Sequence, residues 1–316
     1  MTAAGFITAA RGSPLPVSGG LGEALAGFGA SCLEVLNLEQ PRAVRAAHMA
    51  YLAAGAGVIR TNTAAASPER LDRWRMHDEA FIVCYMAAEH AAECARAAAA
   101  KTGIARQVLG VARVESRVRQ LGFLSLDRVE AAARTMAAGL AGGGVDAIVI
   151  EINQDRTRLA AAIDGARRGM ADAGRSLPVL LTLRYDPMFA PPHRDRVTDD
   201  LAHAAAAAAG LGIAALGIAN ADLADGWAAT LRAVARAYPG PLQVEASPAS
   251  SDLTEVLEDP VLAPRLALVG GGASPTDTAC LRARLISRQQ RQDGSGRPPA
   301  ANDRIAVPAR RPKGHS

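Results

Sequence analysis

Aromatic residues are scarce in this chain of 316 residues: five Phe, four Tyr and two Trp, 3% of the whole. Stacking platforms for bases or sugars are therefore few, and the core must be filled by Ala, Val, Leu and Ile. Cysteine is also sparse. Cys32, Cys84, Cys94 and Cys280 form no CxxC or Cys/His spacing, which argues against a cysteine-built metal module. Cys84 and Cys94 lie in an Ala-rich helical stretch and read as small buried residues, Cys280 as a packed residue of the last helix, and a reducing cytoplasm fits. No long apolar run is present. The nearest, residues 204–219, is mostly Ala and Gly and reads as a helix end followed by a buried strand, so no membrane association is expected. The N-terminus shows no basic-then-apolar signal pattern.

Charge of one sign is lacking too. The formal net charge is +4, but residues 287–316 hold seven Lys/Arg against two Asp/Glu, leaving 28 basic and 29 acidic residues elsewhere. The basic character belongs to the tail, and a nucleic-acid-binding body is not supported. That tail is rich in Arg, Gln, Pro and Gly and reads as disordered, either as a solvated tail or as a basic tether for an acidic partner. The expected organisation is an N-terminal arm (1–13), one folded unit (14–286) and the tail (287–316).

What the chain does have is alternation. Candidate strands are Leu15–Ser18, Gly57–Thr61, Gln107–Ala112, Ala147–Ile152, Pro178–Arg184, Ala214–Ala219, Leu242–Ala246 and Leu266–Val269. Continuous apolar runs such as Ala147-Ile148-Val149-Ile150 suit strands buried on both faces of a parallel sheet. Between them lie stretches with helical periodicity, for example Arg128–Ala141 and Asp222–Ala237. Eight strands alternating with helices predict an α/β protein, a (β/α)8 TIM barrel. A doubly wound open sheet is the alternative, but the glycine-rich Ser18–Gly22 lacks the GxGxxG spacing of a dinucleotide turn.

Five segments, in order, carry a more specific signal. They are Ser18-Gly19-Gly20-Leu21-Gly22; Leu36-Asn37-Leu38-Glu39-Gln40-Pro41 with His48, Tyr51, Ala54-Gly55-Ala56 and Thr61-Asn62-Thr63; Val108–Ala112; Gly143–Glu151 with Asp155; and Val269-Gly270-Gly271-Gly272-Ala273-Ser274. Together they resemble the homocysteine S-methyltransferases, and especially the N-terminal module of cobalamin-dependent methionine synthase. Relative to that family, Ser18 stands for an Asp, Leu21 for a Met, and Arg60 for the acidic residue before Thr-Asn-Thr.

The resemblance implies transfer of a methyl group to a thiol such as that of homocysteine. A free thiol has a pKa of about 8.5, and its thiolate is the nucleophile. In the family, zinc held by three cysteines binds the substrate sulfur and keeps it deprotonated. Here the corresponding positions are Asn220, Gly272 and Ala273, so zinc is not expected. No bound cofactor is predicted, and a rebuilt metal site around Asp186, His193 and Asp195 is a minor alternative. Any methylcorrinoid or other donor is expected on a separate protein. The implied substrate-binding set is Ser18, Gly19, Gly20, Thr61, Asn62, Thr63 and Glu151, with Glu151 near the substrate's amino group; no catalytic residue is assigned. Glu151 also reads as a strand-end carboxylate satisfied by backbone amides, and Thr61–Thr63 as a helix cap. Arg60, Arg113 and Arg184 favour an anionic ligand if they point inward and are surface groups otherwise. Three functions stay open: a divergent methyltransferase acting on an amino-acid-like thiol, an inactive barrel that binds a metabolite or partner, or a barrel recruited to different chemistry through the arginines and His193.

Overall fold

A computed structural model describes residues 14–115, 117–118, 122–153, 155–184, 194–219 and 226–292. Eight parallel strands close into a barrel: β1 (Leu15–Val17), β2 (Val58–Arg60), β3 (Gln107–Arg113), β4 (Ala147–Asn153), β5 (Val179–Arg184), β6 (Ala215–Ala219), β7 (Leu242–Glu245) and β8 (Leu266–Gly270). Each strand lies within one residue of its expected bounds. Each pairs with its sequence neighbours, and β8 returns to β1 with Val17 opposite Gly270. The open-sheet alternative is thereby excluded.

One main helix follows each strand: α1 (Pro41–Ala53), α2 (Ala80–Thr102), α3 (Leu126–Gly143), α4 (Arg156–Asp172), α5 (Arg194–Ala209), α6 (Trp227–Ala237), α7 (Ser251–Glu258) and α8 (Pro275–Gln292). Local chemistry sets their ends. Pro41 starts α1 with its φ already helical. Ser125 and Asp155 accept from Arg128 N and Thr157 N to cap α3 and α4. Gly103 and Gly144, both left-handed, stop α2 and α3.

Two differences from expectation concern the chain's edges. The last helix continues through 287–292, residues assigned above to the tail, while 1–13 and 293–316 lie outside the described residues. Cys280 does sit on α8, but its thiol faces solvent rather than the core, whereas Cys84 and Cys94 are buried as expected. A small antiparallel pair, Arg117–Val118 with Gly122–Phe123, lies between β3 and α3 and was not anticipated.

The barrel core has two shells. Ile59, Val108, Ile148, Ile150, Leu181, Leu183, Leu216 and Ile218 face outward against the alanine-rich helices. Val17, Val58, Leu109, Val111, Ala147, Val149, Leu180 and Ala215 fill the lumen. Side chains alternate along a strand, so the lumen residues fix which later residues point inward. Counting on by two along β2, β3, β4 and β5 gives Arg60, Arg113, Glu151 and Arg184 as the top inward layer. On β7 the same parity runs through Gln243 to Glu245.

Among the described residues, no helix is long and apolar enough to cross a membrane.

Candidate functional site

The top inward layer is charged, and it lies at the C-terminal ends of the strands, where barrel active sites are built. Glu151 is its centre, with no solvent exposure. Arg60 donates to Glu151 Oε1 and also pairs with Glu245. Arg113, opposite Glu151 in the β3–β4 register, donates through Nε to Glu151 Oε2 at 2.8 Å, with Nη2 at 2.8 Å as well. Arg184 Nη1 lies 3.5 Å from the same oxygen. Burial alone would raise the Glu151 carboxyl; the three guanidiniums overcome it and hold it at about 2. Burial alone would lower Arg60; Glu245 and Glu151 raise it above its usual value. The three arginines therefore point inward. Glu151 meets guanidiniums, and not the backbone amides of its alternative reading.

Below this layer Gln243 Nε2 donates to Thr182 Oγ1 at 2.7 Å and to Leu181 O at 3.2 Å. Gly217 makes room for it: a Cβ there would sit 2.3 Å from Gln243 Cγ. This polar pair supports the charged layer from beneath.

Thr61, Asn62 and Thr63 turn to neighbouring chain. Thr61 Oγ1 accepts from Val111 N at 2.9 Å, and Thr63 Oγ1 donates to Val111 O at 2.6 Å. Asn62 Nδ2 donates to Leu33 O, and Asn37 Nδ2 donates to Asn62 O, each at 2.8 Å. These contacts clamp the β2 end to β3 and to the segment before α1. The helical turn that follows is capped by Ser67 instead. Ser18 Oγ likewise accepts from Arg60 N at 3.0 Å, tying β1 to β2.

The opposite sector is built from backbone. Gly271 and Gly272 follow β8 with φ of 122° and 78°, conformations that L side chains rarely adopt. Gly19 packs against them so closely that a Cβ would lie 2.2 Å from Gly272 O. Tyr51 Oη, reaching from α1, lies 3.0 Å from both Gly20 O and Ala273 O, and burial pushes the phenol up to about 12, helped by Asp277 and Glu23. Asp277 fills the remaining space. Its Oδ2 accepts from Ala273 N at 2.9 Å, Ser274 N at 3.1 Å and Ser274 Oγ at 3.0 Å, and Asp277 N donates back to Ser274 Oγ. This is a capping box at the start of α8.

That geometry tests the zinc positions suggested by the sequence. Gly272 and Ala273 offer no ligand atom, and a Cβ at 272 would lie 2.3 Å from Asp277 Cβ. These two residues do not fit a thiolate-held zinc ion. Asn220, Asp186 and His193 lie outside the described residues, as does the side chain of Asp195. Among the described residues, no group of three His, Cys, Asp or Glu is placed to hold a metal ion.

Between the two sectors opens a cavity of about 610 Å³. Its described lining includes Gly19, Gly20, Arg60 and Arg184, which the sequence singled out. It also includes Trp227, Glu245, Ser247, Ser250 and Asp277, which it did not. One of those had a local signal: Asp277 stands three residues after Ser274 at a Pro-started helix, the spacing of a capping box, although that spacing does not tell that it borders a cavity. Thr61–Thr63 and Glu151 do not line the cavity; they hold up those that do.

A family model described as "Homocysteine S-methyltransferase" matches residues 17–276. The chain is 32% identical over 151 residues to a methionine synthase of Mycobacterium tuberculosis (strain ATCC 25618 / H37Rv). It is 31% identical over 153 residues to a methionine synthase of Mycobacterium leprae (strain TN). Each match covers under half of this chain, 47% and 48%, and only 12% of the much longer relative. The fold is similar to that of the homocysteine methyltransferase MmuM from Escherichia coli. Its oxidised form superposes with a TM-score of 0.67 at 20% identity, over 90% of this chain and 100% of the other. Its metallated form gives 0.65, also at 20% identity, over 86% and 96%.

Proposed function

The chain belongs to the homocysteine S-methyltransferase family, and on that premise we propose that it is a divergent member. Its barrel mouth receives a small, amino-acid-like metabolite without a zinc-activated thiol. The observation that carries this reading is the seat of Asp277. Its side chain stands where a side chain at 272 would have to go, and its carboxylate is engaged by the loop's own amides. A thiol bound here meets no metal at these two positions to keep it deprotonated, and near neutral pH an unactivated thiol is mostly protonated.

A second reading has one observation in its favour. Arg60 and Arg184 line the cavity, and nearby guanidiniums favour a thiolate over a thiol. Methyl transfer to a thiol acceptor would then proceed without zinc, from a methylcorrinoid or other donor on a separate protein.

Incubation of the purified chain with homocysteine and methylcobalamin, with and without added zinc, separates the readings. The divergent-binder reading expects no methionine above the uncatalysed rate in either condition. Zinc-independent turnover would establish the second reading. Turnover that requires zinc would overturn both.

A further inference from the structure

We propose that the groove between α7 and the last turns of α8 docks an acidic segment of a partner protein. This goes beyond the reading above and does not rest on it, because the groove lies away from the mouth. At about 1.5 Å per residue, Arg288 stands about 16 Å along α8 from Asp277.

α8 presents Arg284, Arg288 and Arg291 to this groove, a cavity of about 380 Å³. Spacings of four and three residues put the three guanidiniums on one helix face, where like charges oppose one another. Burial, and then the neighbouring Arg291, push Arg288 below its usual value. Arg284 donates to the neutral Thr254 hydroxyl at 3.3 Å. The acids at the end of α7 are mostly taken. Glu255 and Asp259 pair with Arg232. Glu258 lines the groove, but among the described residues no carboxylate forms an ion pair with any of the three arginines. Three positive groups thus face one negative group among the described lining residues. The C-terminal dipole of α8 offsets Arg291, in the last turn, and fades before Arg284.

The surroundings select the occupant. The chain beyond residue 292 carries five Lys/Arg against two Asp/Glu, so it has the sign of the groove and is a poor cover for it. A second copy docking by the same face would set the same arginines against each other. The groove also has an apolar floor, with Leu257 buried and Ala283 beside it, and the Glu258 carboxylate on its wall. A nucleic-acid backbone would bring an unbroken run of phosphates past that carboxylate and leave the floor uncovered. A protein segment carries separate carboxylates among apolar side chains and matches both. Arg284 to Arg291 spans about 10 Å of helix axis, a length that suits several carboxylates on one segment.

The test is fluorescence anisotropy of a labelled peptide of Glu, Ala and Leu, with glutamates at i, i+4 spacing, titrated with the full chain at low salt. Its Gln counterpart and an oligothymidylate of equal charge are run beside it. Saturable binding of the Glu peptide, weakened by salt and absent for the Gln peptide, is expected. Arg284→Gln, Arg288→Gln and Arg291→Gln together should weaken it about tenfold, the combined loss of three exposed charge contacts. Arg310→Gln, Arg311→Gln and Lys313→Gln together remove the same charge from the tail and should weaken it less. Glu258→Gln should tighten it, a change that misfolding would not produce. No saturable binding of the Glu peptide, equal binding of the two peptides, tighter binding of the oligothymidylate, or equal losses in the groove and tail variants would overturn the proposal.

Discussion

The mouth of this barrel is built in two ways. On one side, the strand ends carry long charged side chains that satisfy one another: Arg60, Arg113, Glu151, Arg184 and Glu245. On the other, Gly19, Gly20, Gly271 and Gly272 meet through backbone, with Tyr51 and Asp277 fastening them from α1 and α8. The charged sector depends on every partner being present. The glycine sector depends on side chains being absent. The first is altered by a change of charge; the second cannot accept a Cβ at Gly19, Gly271 or Gly272 without moving.

The contrast is broken most severely at its charged centre. Glu151→Leu removes the buried carboxylate that three guanidiniums share and should cost about 3–5 kcal/mol, read by urea denaturation. A loss near 1 kcal/mol would mean that solvent already screens the cluster. Next comes the glycine sector. Gly19→Ala forces a Cβ onto Gly272 O and should cost about 1–3 kcal/mol by the same measurement. A variant as stable as the parent would show that the loops can part freely.

Acid separates the two sectors further. His48, on α1 one turn before Tyr51, is buried with neither ring nitrogen bonded. Burial, aided by His90, pushes its pKa down to about 3 from 6.5. The unfolded chain therefore takes up this proton first. His48's contribution is fully present above pH 6.5 and is lost as pH falls toward 3, at up to about 1.4 kcal/mol per pH unit. The depressed Glu151 contributes above its unfolded value of 4.5 and loses that contribution only between there and about 2. Acidification should thus loosen the helix behind the glycine sector before it reaches the charged one. His48→Leu should flatten the stability profile from pH 6.5 to 4.5, and an unaltered slope would refute the assignment. The smallest effect is at Tyr51→Phe, about 1 kcal/mol for the lost hydroxyl contacts to Gly20 and Ala273.

The barrel was legible in the sequence because eight apolar runs alternate with helical periodicity, and Gly and Pro mark where they stop. Parity was not legible. In Ala147-Ile148-Val149-Ile150 both faces are buried, so hydrophobicity does not tell lumen from shell, and Arg60, Arg113 and Arg184 read equally as inward or surface groups. Glu151 was found, but as an anchor for a ligand's ammonium, because its three partners come from β2, β3 and β5. Asp277 was missed because its importance comes from what a side chain at 272 would strike, which only the backbone reveals. The end of α8 was misplaced because Ser287–Gln292 is polar, and its helix continues from a buried segment around Leu281 and Leu285.

The most direct test is the metal itself. The chain, purified without a metal-affinity tag, would have its zinc content measured and would then be titrated with zinc in competition with a chelating indicator. No stoichiometric zinc, and no uptake against the indicator, is the predicted result. One tightly held zinc per chain, released by acid and needed for homocysteine to bind, would contradict it.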